Sequence, residues 1–276
     1  MPQLHHLTLN PSLRRYYAPI EVIHLPTRAA FQTLRSFRLT SITYTLSQSP
    51  LPRLLTALSS SMEAVTLGIS AFPELVDVIE TISSQWSETI QEISLEVLYQ
   101  PPLLHPHLTL EWSALTPLLA CRNLKVLEID LGNPVELTDS RVSLLAGALP
   151  HLRILHIHCT RCLGPSEYIP TATVHSLAVL ACLENLTDLS LDVNLGCLSL
   201  TSEDIQKAAN PRIKQFRSDI LGGHSSIEVI KERVRRLFPS LGVVLIVPGG
   251  LGPGQFSVEG GEKRKVAAWP AKLLET

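Results

Sequence analysis

With 276 residues, 45% of them apolar, the chain carries enough nonpolar side chain for a continuous core and too much to be disordered throughout. Charged residues make up 17% and aromatics 5%, a balance that suits thin repeated layers of leucine and isoleucine better than an aromatic-lined cavity. A net charge of −2 supplies no basic excess for nucleic acid or an anionic membrane, and no apolar run approaches the roughly 20 residues of a membrane span.

One short pattern, apolar-x-x-apolar-x-apolar, recurs along the chain and predicts a strand at each copy. The first copy is Leu4/Leu7/Leu9. Pro11 to Ala30 follows without clear periodicity, and the next copies are Leu34/Phe37/Leu39 and Met62/Val65/Leu67. PELVDVIETI then places Leu75, Ile79 and Ile82 on one helical face. After Ile90/Ile93/Leu95, the proline-rich LLHPHL, with His105 and His107, reads as a surface connection. Leu124/Leu127/Ile129 leads to LTDSRVSLLAGAL, a helix that Thr138 or Asp139 can cap, with Val142, Leu145 and Leu149 inward. Leu152/Leu155/Ile157 leads to TATVHSLAVLAC, with Val174, Leu177 and Ala181 on its inner face. Leu186/Leu189/Leu191 and Ile213/Phe216/Ser218 follow, Ser218 being the one polar miss. SSIEVIKERVRRLF offers Ile227, Ile230, Val234 and Leu237 before Pro239 ends the helix, and Leu241/Val244/Ile246 is the ninth copy.

The first positions are separated by 30, 28, 28, 34, 28, 34, 27 and 28 residues, a period of about 28 with two six-residue insertions. Each unit reads as strand, turn, helix, turn. One such unit cannot bury its own apolar face, so neighbours must stack with parallel strands about 4.8 Å apart. The expected fold is α/β, a leucine-rich-repeat solenoid: a ribonuclease-inhibitor-like arc of about nine strand-helix repeats with the parallel sheet on its concave face. The solenoid is expected over residues 1 to 247. Residues 248 to 276, beginning PGGLGPGQFSVEGGEKRK, are expected to form a Gly/Pro-rich flexible tail. GGLGPG lacks the lysine and the strand-turn-helix setting of a phosphate loop, so no nucleotide or other cofactor is expected.

Five cysteines, Cys121, Cys159, Cys162, Cys182 and Cys197, form an odd set without a tight framework and read as reduced thiols. The opening MPQLHHLTLNPSLRRYY lacks the basic-then-apolar layout of a signal peptide, so a cytoplasmic or nuclear location is expected.

The spacing, together with VELTDSRVSLLAGALPHLRILHI, PTATVHSLAVLACLENLTDLSLDV and IKERVRRLFPSLGVVLIV, resembles the leucine-rich-repeat part of fungal F-box proteins over about residues 1 to 247. That resemblance implies a substrate-recognition role in a ubiquitin ligase, with the ligase scaffold as a partner. Two departures stand out. The asparagine or cysteine common at the ninth repeat position occurs only as Asn194, and the first repeat strand begins at Leu4, leaving no room ahead of it for the F-box itself.

Third, fifth and seventh repeat positions should point away from the core onto the concave face. From the fourth to the eighth repeat they supply Glu92, Glu96, Val126, Glu128, Asp130, Ile154, His156, His158, Asp188, Ser190, Asp192, Arg217 and Asp219, so the middle of the face is acidic. Carboxylates on adjacent strands repel, a cost that a basic partner segment would relieve, although exposed charge on a sheet also serves simply to prevent aggregation. Val126 and Ile154 offer an apolar anchor. His156 and His158, with Asp130 and Asp192 beside His158, are the residue types of a divalent-ion site or of a pH-responsive pair. The register sends Cys159 toward Leu131 and Val193 instead, which breaks up the HIHCTRC cluster, so no metal site is expected. KERVRR reads as a solvated helix face. With no nucleophile-base set and no cofactor loop, the expected function is noncatalytic: a protein-interaction scaffold. The alternative is a structural fragment or degenerate paralogue of a longer repeat array, and an enzyme is the remote third reading.

Overall fold

The computed structural model describes residues 4–9, 31–39, 51–58, 61–69, 72–97, 110–131, 135–159, 170–194, 210–218, 232 and 234–246. Its strands are β1 (His6–Leu9), β2 (Ser36–Leu39), β3 (Ala64–Ile69), β4 (Glu92–Val97), β5 (Val126–Leu131), β6 (Ile154–Cys159), β7 (Asp188–Leu191), β8 (Gln215–Ser218) and β9 (Val243–Ile246). They form one nine-stranded parallel sheet whose spatial order is the chain order. Equivalent repeat positions face each other: Ala64 pairs with Glu92, Glu92 with Val126, Val126 with Ile154, and Ile154 with Asp188. This is the α/β leucine-rich-repeat solenoid that the 28-residue period predicts.

Side-chain alternation fixes that register. The first, fourth and sixth positions of the repeat that holds β5, Leu124, Leu127 and Ile129, are all buried, as are Leu152, Leu155 and Ile157 of the next repeat. A slip of one residue would turn each set to the opposite face. Ser218, the polar residue in the sixth column, is also buried, and its hydroxyl accepts a hydrogen bond from the Val193 backbone N–H at 3.4 Å. The position keeps a polar side chain because a main-chain donor at the end of the neighbouring strand needs a partner.

The edge of the sheet where the strands begin is tied by a main-chain ladder. The His5 carbonyl accepts from Arg35 and Ser36, the Arg35 carbonyl from Glu63 and Ala64, and the Lys125 carbonyl from Arg153 and Ile154. Side chains just before the strands reinforce it. Thr33 donates to the Leu4 carbonyl, Thr89 to that of Met62, Asn123 to that of Glu88, and buried Asn210 to that of Leu183. The sequence pattern, judged at the ninth position alone, shows a single Asn194; the polar ladder of this protein runs along the opposite edge of the sheet.

Helices α1 (Leu51–Thr56), α2 (Phe72–Trp86), α3 (Asp139–Ala148) and α4 (Val174–Ala181) follow β2, β3, β5 and β6. In α2, Leu75, Val78, Ile79, Ile82 and Trp86 share the buried face and join the strands in one hydrophobic core. Among the described residues between β4 and β5, two short 3-10 segments, Trp112–Ala114 and Thr116–Ala120, stand where the repeat leads one to expect an α-helix. Pro117 lies in the first turn of the second segment and has no N–H to continue an α-helix from the first. Cys121, at the end of that segment, is buried, and burial pushes its thiol up to about 11 against a weaker opposing hydrogen bond with Ser83.

Thr138 caps α3, its hydroxyl accepting from the Arg141 N–H. Asp139 does something else. Its carboxylate reaches across to the next helix, accepting from the Thr173 and Ser176 backbone N–H groups and from both hydroxyls. Burial alone would raise its pKa, but these bonds hold the carboxyl below the usual range. Among the described residues, no helix is long and apolar enough to cross a membrane.

Candidate functional site

The third, fifth and seventh positions of β4 to β7 lie on the sheet face away from the helices. There they bring together Glu92, Glu96, Glu128, Asp130, Asp188 and Asp192, with no lysine or arginine among them. Val126 and Ile154, the two apolar residues of this face, pair directly in register and are both half-buried. Arg217 pairs with Ser190 at the margin of the face. Asp219 and the connections holding His105, His107, Cys162 and Cys197 lie outside the described residues, as do Ser225, Ile227, Ile230 and the stretch from 248 to 276.

The centre of the acidic face is not an open solvated surface: His156 is 4% exposed, Ser190 3% and Asp192 8%. Register explains the burial of Ser190, whose short side chain has His156 and Arg217 to either side and Asp188 and Asp192 along its own strand.

His156 lies between two carboxylates on flanking strands. Its Nε2 is 3.0 Å from Asp188 Oδ1 and its Nδ1 is 3.4 Å from Glu128 Oε1. Burial alone would lower the imidazole pKa, but the hydrogen bonds and charges of Asp188 and Glu128 outweigh it and raise the value to about 9. The same contact with His156 holds Glu128 below the ordinary glutamate range, against its own burial. His156 is therefore an imidazolium at neutral pH, and it removes part of the repulsion that the bare sequence predicts. His158 stands next along the strand, with Nε2 3.9 Å from Asp130 Oδ2 and its ring edge-on to that of His156 at 6.3 Å. The β6–β7 register continued one step sets Asp192 opposite His158.

Ser190, His156 and Asp188 stand side by side, yet they do not form a nucleophile-base set. Carboxylates engage both imidazole nitrogens, and the Ser190 hydroxyl makes no hydrogen bond. Cys159 pairs with Leu131 in register, apart from the histidine column. Among the described residues, no group of three or more histidine, cysteine, aspartate and glutamate side chains is arranged to hold a metal ion. What the arrangement offers chemically is a fixed array of negative charge around one neutralised centre.

No protein-family model matches the chain, and no curated protein does. Among solved structures, the leucine-rich repeat-containing protein LegL7 from Legionella pneumophila is similar over 88% of this chain and 90% of its own, at 15% identity and a TM-score of 0.28. The architecture of the present chain rests on its own strand order and register.

Proposed function

We propose that the chain is a noncatalytic protein-interaction scaffold whose acidic sheet face, from Glu92 to Arg217, receives a lysine- or arginine-rich segment of a partner protein. One observation carries this reading: six carboxylates from the repeats of β4, β5 and β7 share one sheet face, and buried His156 on β6 stands between two of them. Glu92 and Glu96 remain exposed on β4 and leave the excess charge accessible. A rigid sheet presents such groups at fixed spacing, which favours an extended or helical basic segment over a small ion. The sequence likeness to fungal F-box proteins supports a finer version, in which the bound protein is a substrate presented to a ubiquitin ligase.

The test is fluorescence anisotropy with a labelled oligo-arginine peptide, comparing the full chain with a Glu92→Gln/Glu96→Gln/Asp130→Asn variant checked for native circular dichroism. Saturable binding that weakens with salt and falls by about tenfold or more in the variant is expected, since charge complementarity dominates such contacts. Equal binding by both proteins, or none by the wild type, removes the acidic-face reading. Recovery of ligase subunits with the chain from cells would support the finer role, and their consistent absence would sink it.

A further inference from the structure

A second charged surface lies along the edge where the strands begin, where cations outnumber the exposed Glu88 and Glu184 of the same turns. At the second repeat position, immediately before the strand, stand Lys125, Arg153 and Lys214, with Arg122 and Arg212 in the preceding turns. All five are exposed. The main-chain ladder makes Lys125 and Arg153 direct neighbours, because the Arg153 N–H bonds the Lys125 carbonyl at 2.7 Å. Like charges so placed repel. The same row at its other end is built differently: Arg35 has Glu63 on the adjacent repeat at 3.8 Å. None of the five cations has a carboxylate within ion-pair distance among the described residues. Lys125 instead donates to the Gln91 side-chain amide and Arg212 to the Glu184 carbonyl.

Helix C-termini attract cations, which accounts for Arg122 after the 3-10 segment Thr116–Ala120. They do not account for Arg153, five residues past the end of α3, nor for Lys125 and Lys214 at the strand starts. We propose that this edge, from Arg122 to Lys214, is a separate docking surface for an acidic, Asp/Glu-rich peptide segment. Recognition is by side-chain charge and not by strand addition, since the backbone groups of the edge already serve the ladder. From β5 to β8 there are three strand spacings, about 14 Å at ~4.8 Å each, which an extended peptide of about four residues covers. A longer polyanion is disfavoured, because the carboxylates of the sheet face begin only a few residues further along the same strands. Duplex nucleic acid, with a charge every ~1.7 Å, would overrun them.

This surface does not depend on whether the acidic face is occupied. The experiment is anisotropy with labelled hexaglutamate on the full chain, on Arg153→Gln/Lys214→Gln, and on Glu92→Gln/Glu96→Gln. Salt-sensitive binding is expected in the wild type, with a loss of about tenfold in the edge variant and none in the acidic-face variant. No saturable binding by the wild type, or unchanged affinity in the edge variant, overturns the proposal. Tighter binding of single-stranded oligothymidylate than of hexaglutamate overturns it in favour of a nucleic-acid surface.

Discussion

The imidazole Nε2 of His156 meets the Asp188 carboxylate at 3.0 Å across one strand spacing, while Glu128 meets the other nitrogen from the opposite side. The pairing makes a buried cation the centre of an acidic surface. Side-chain NMR should therefore find His156 still protonated at pH 7.5 and titrating near 9, well above the usual 6.5. Titration below 7 would mean that the two carboxylates do not hold it.

A pH dependence of stability follows. The folded-state pKa of His156 lies above its unfolded value, so its contribution is complete below about 6.5 and is lost as pH rises through 9. Thermal denaturation should show a lower midpoint at pH 10 than at pH 6.5, and the difference should shrink in His156→Gln. Glu128 and Asp139 have the opposite sign: with depressed folded-state values they stabilise at neutral pH and lose that effect below the ordinary carboxylate range. Acid unfolding should move to higher pH in Asp139→Asn.

Asp139 also links two repeats, being the first residue of α3 while its carboxylate satisfies the N-terminus of α4. Asp139→Ala should cost about 1–2 kcal/mol in chemical denaturation, the upper range for loss of a helix cap, and Thr138→Ala about 1 kcal/mol. Hydrogen exchange should then accelerate at Ser176 in the first variant and not in the second. Equal exchange in both would separate Asp139 from α4.

Leu127 is buried in β5, at the fourth position of its repeat and in the middle of the stack. Leu127→Ala should destabilise by about 2–5 kcal/mol, the range for a large-to-small change in a packed core. A loss below 1 kcal/mol would indicate that the layer collapses around the gap.

Cys121 and Cys182 differ in burial, and the Cys121 thiol is raised to about 11. Brief alkylation at pH 8 followed by peptide mapping should modify Cys182 first, because the thiolate is the reactive form and needs solvent access. Faster modification of Cys121 would contradict its burial.

The strands were readable because Leu124, Leu127 and Ile129, and their equivalents, repeat at fixed offsets and so carry period and register together. Alternation likewise assigned Glu92, Glu128 and Asp188 to one face. The protonation of His156 was not readable, since it depends on side-chain geometry among residues 28 and 32 positions apart on three strands. Nor was the reach of Asp139 to Thr173, which local capping rules assign to its own helix. The edge ladder did leave a signal: Thr33, Thr89 and Asn123 each stand just before the first apolar position of a repeat. The 3-10 segment Thr116–Ala120 left one as well, in Pro117.

Along the edge where the strands begin, the carbonyls of His5, Arg35, Glu63, Gln91, Lys125 and Arg153 each receive two N–H groups from the next repeat, whether the intervening stretch is as short as 28 or as long as 34 residues. Such a ladder counts turns and is indifferent to the contour length between them. A duplicated or deleted whole unit can therefore be joined without redesigning its neighbours, while a connection can lengthen without disturbing the count. Copy number and loop content are left free to diverge as separate heritable traits.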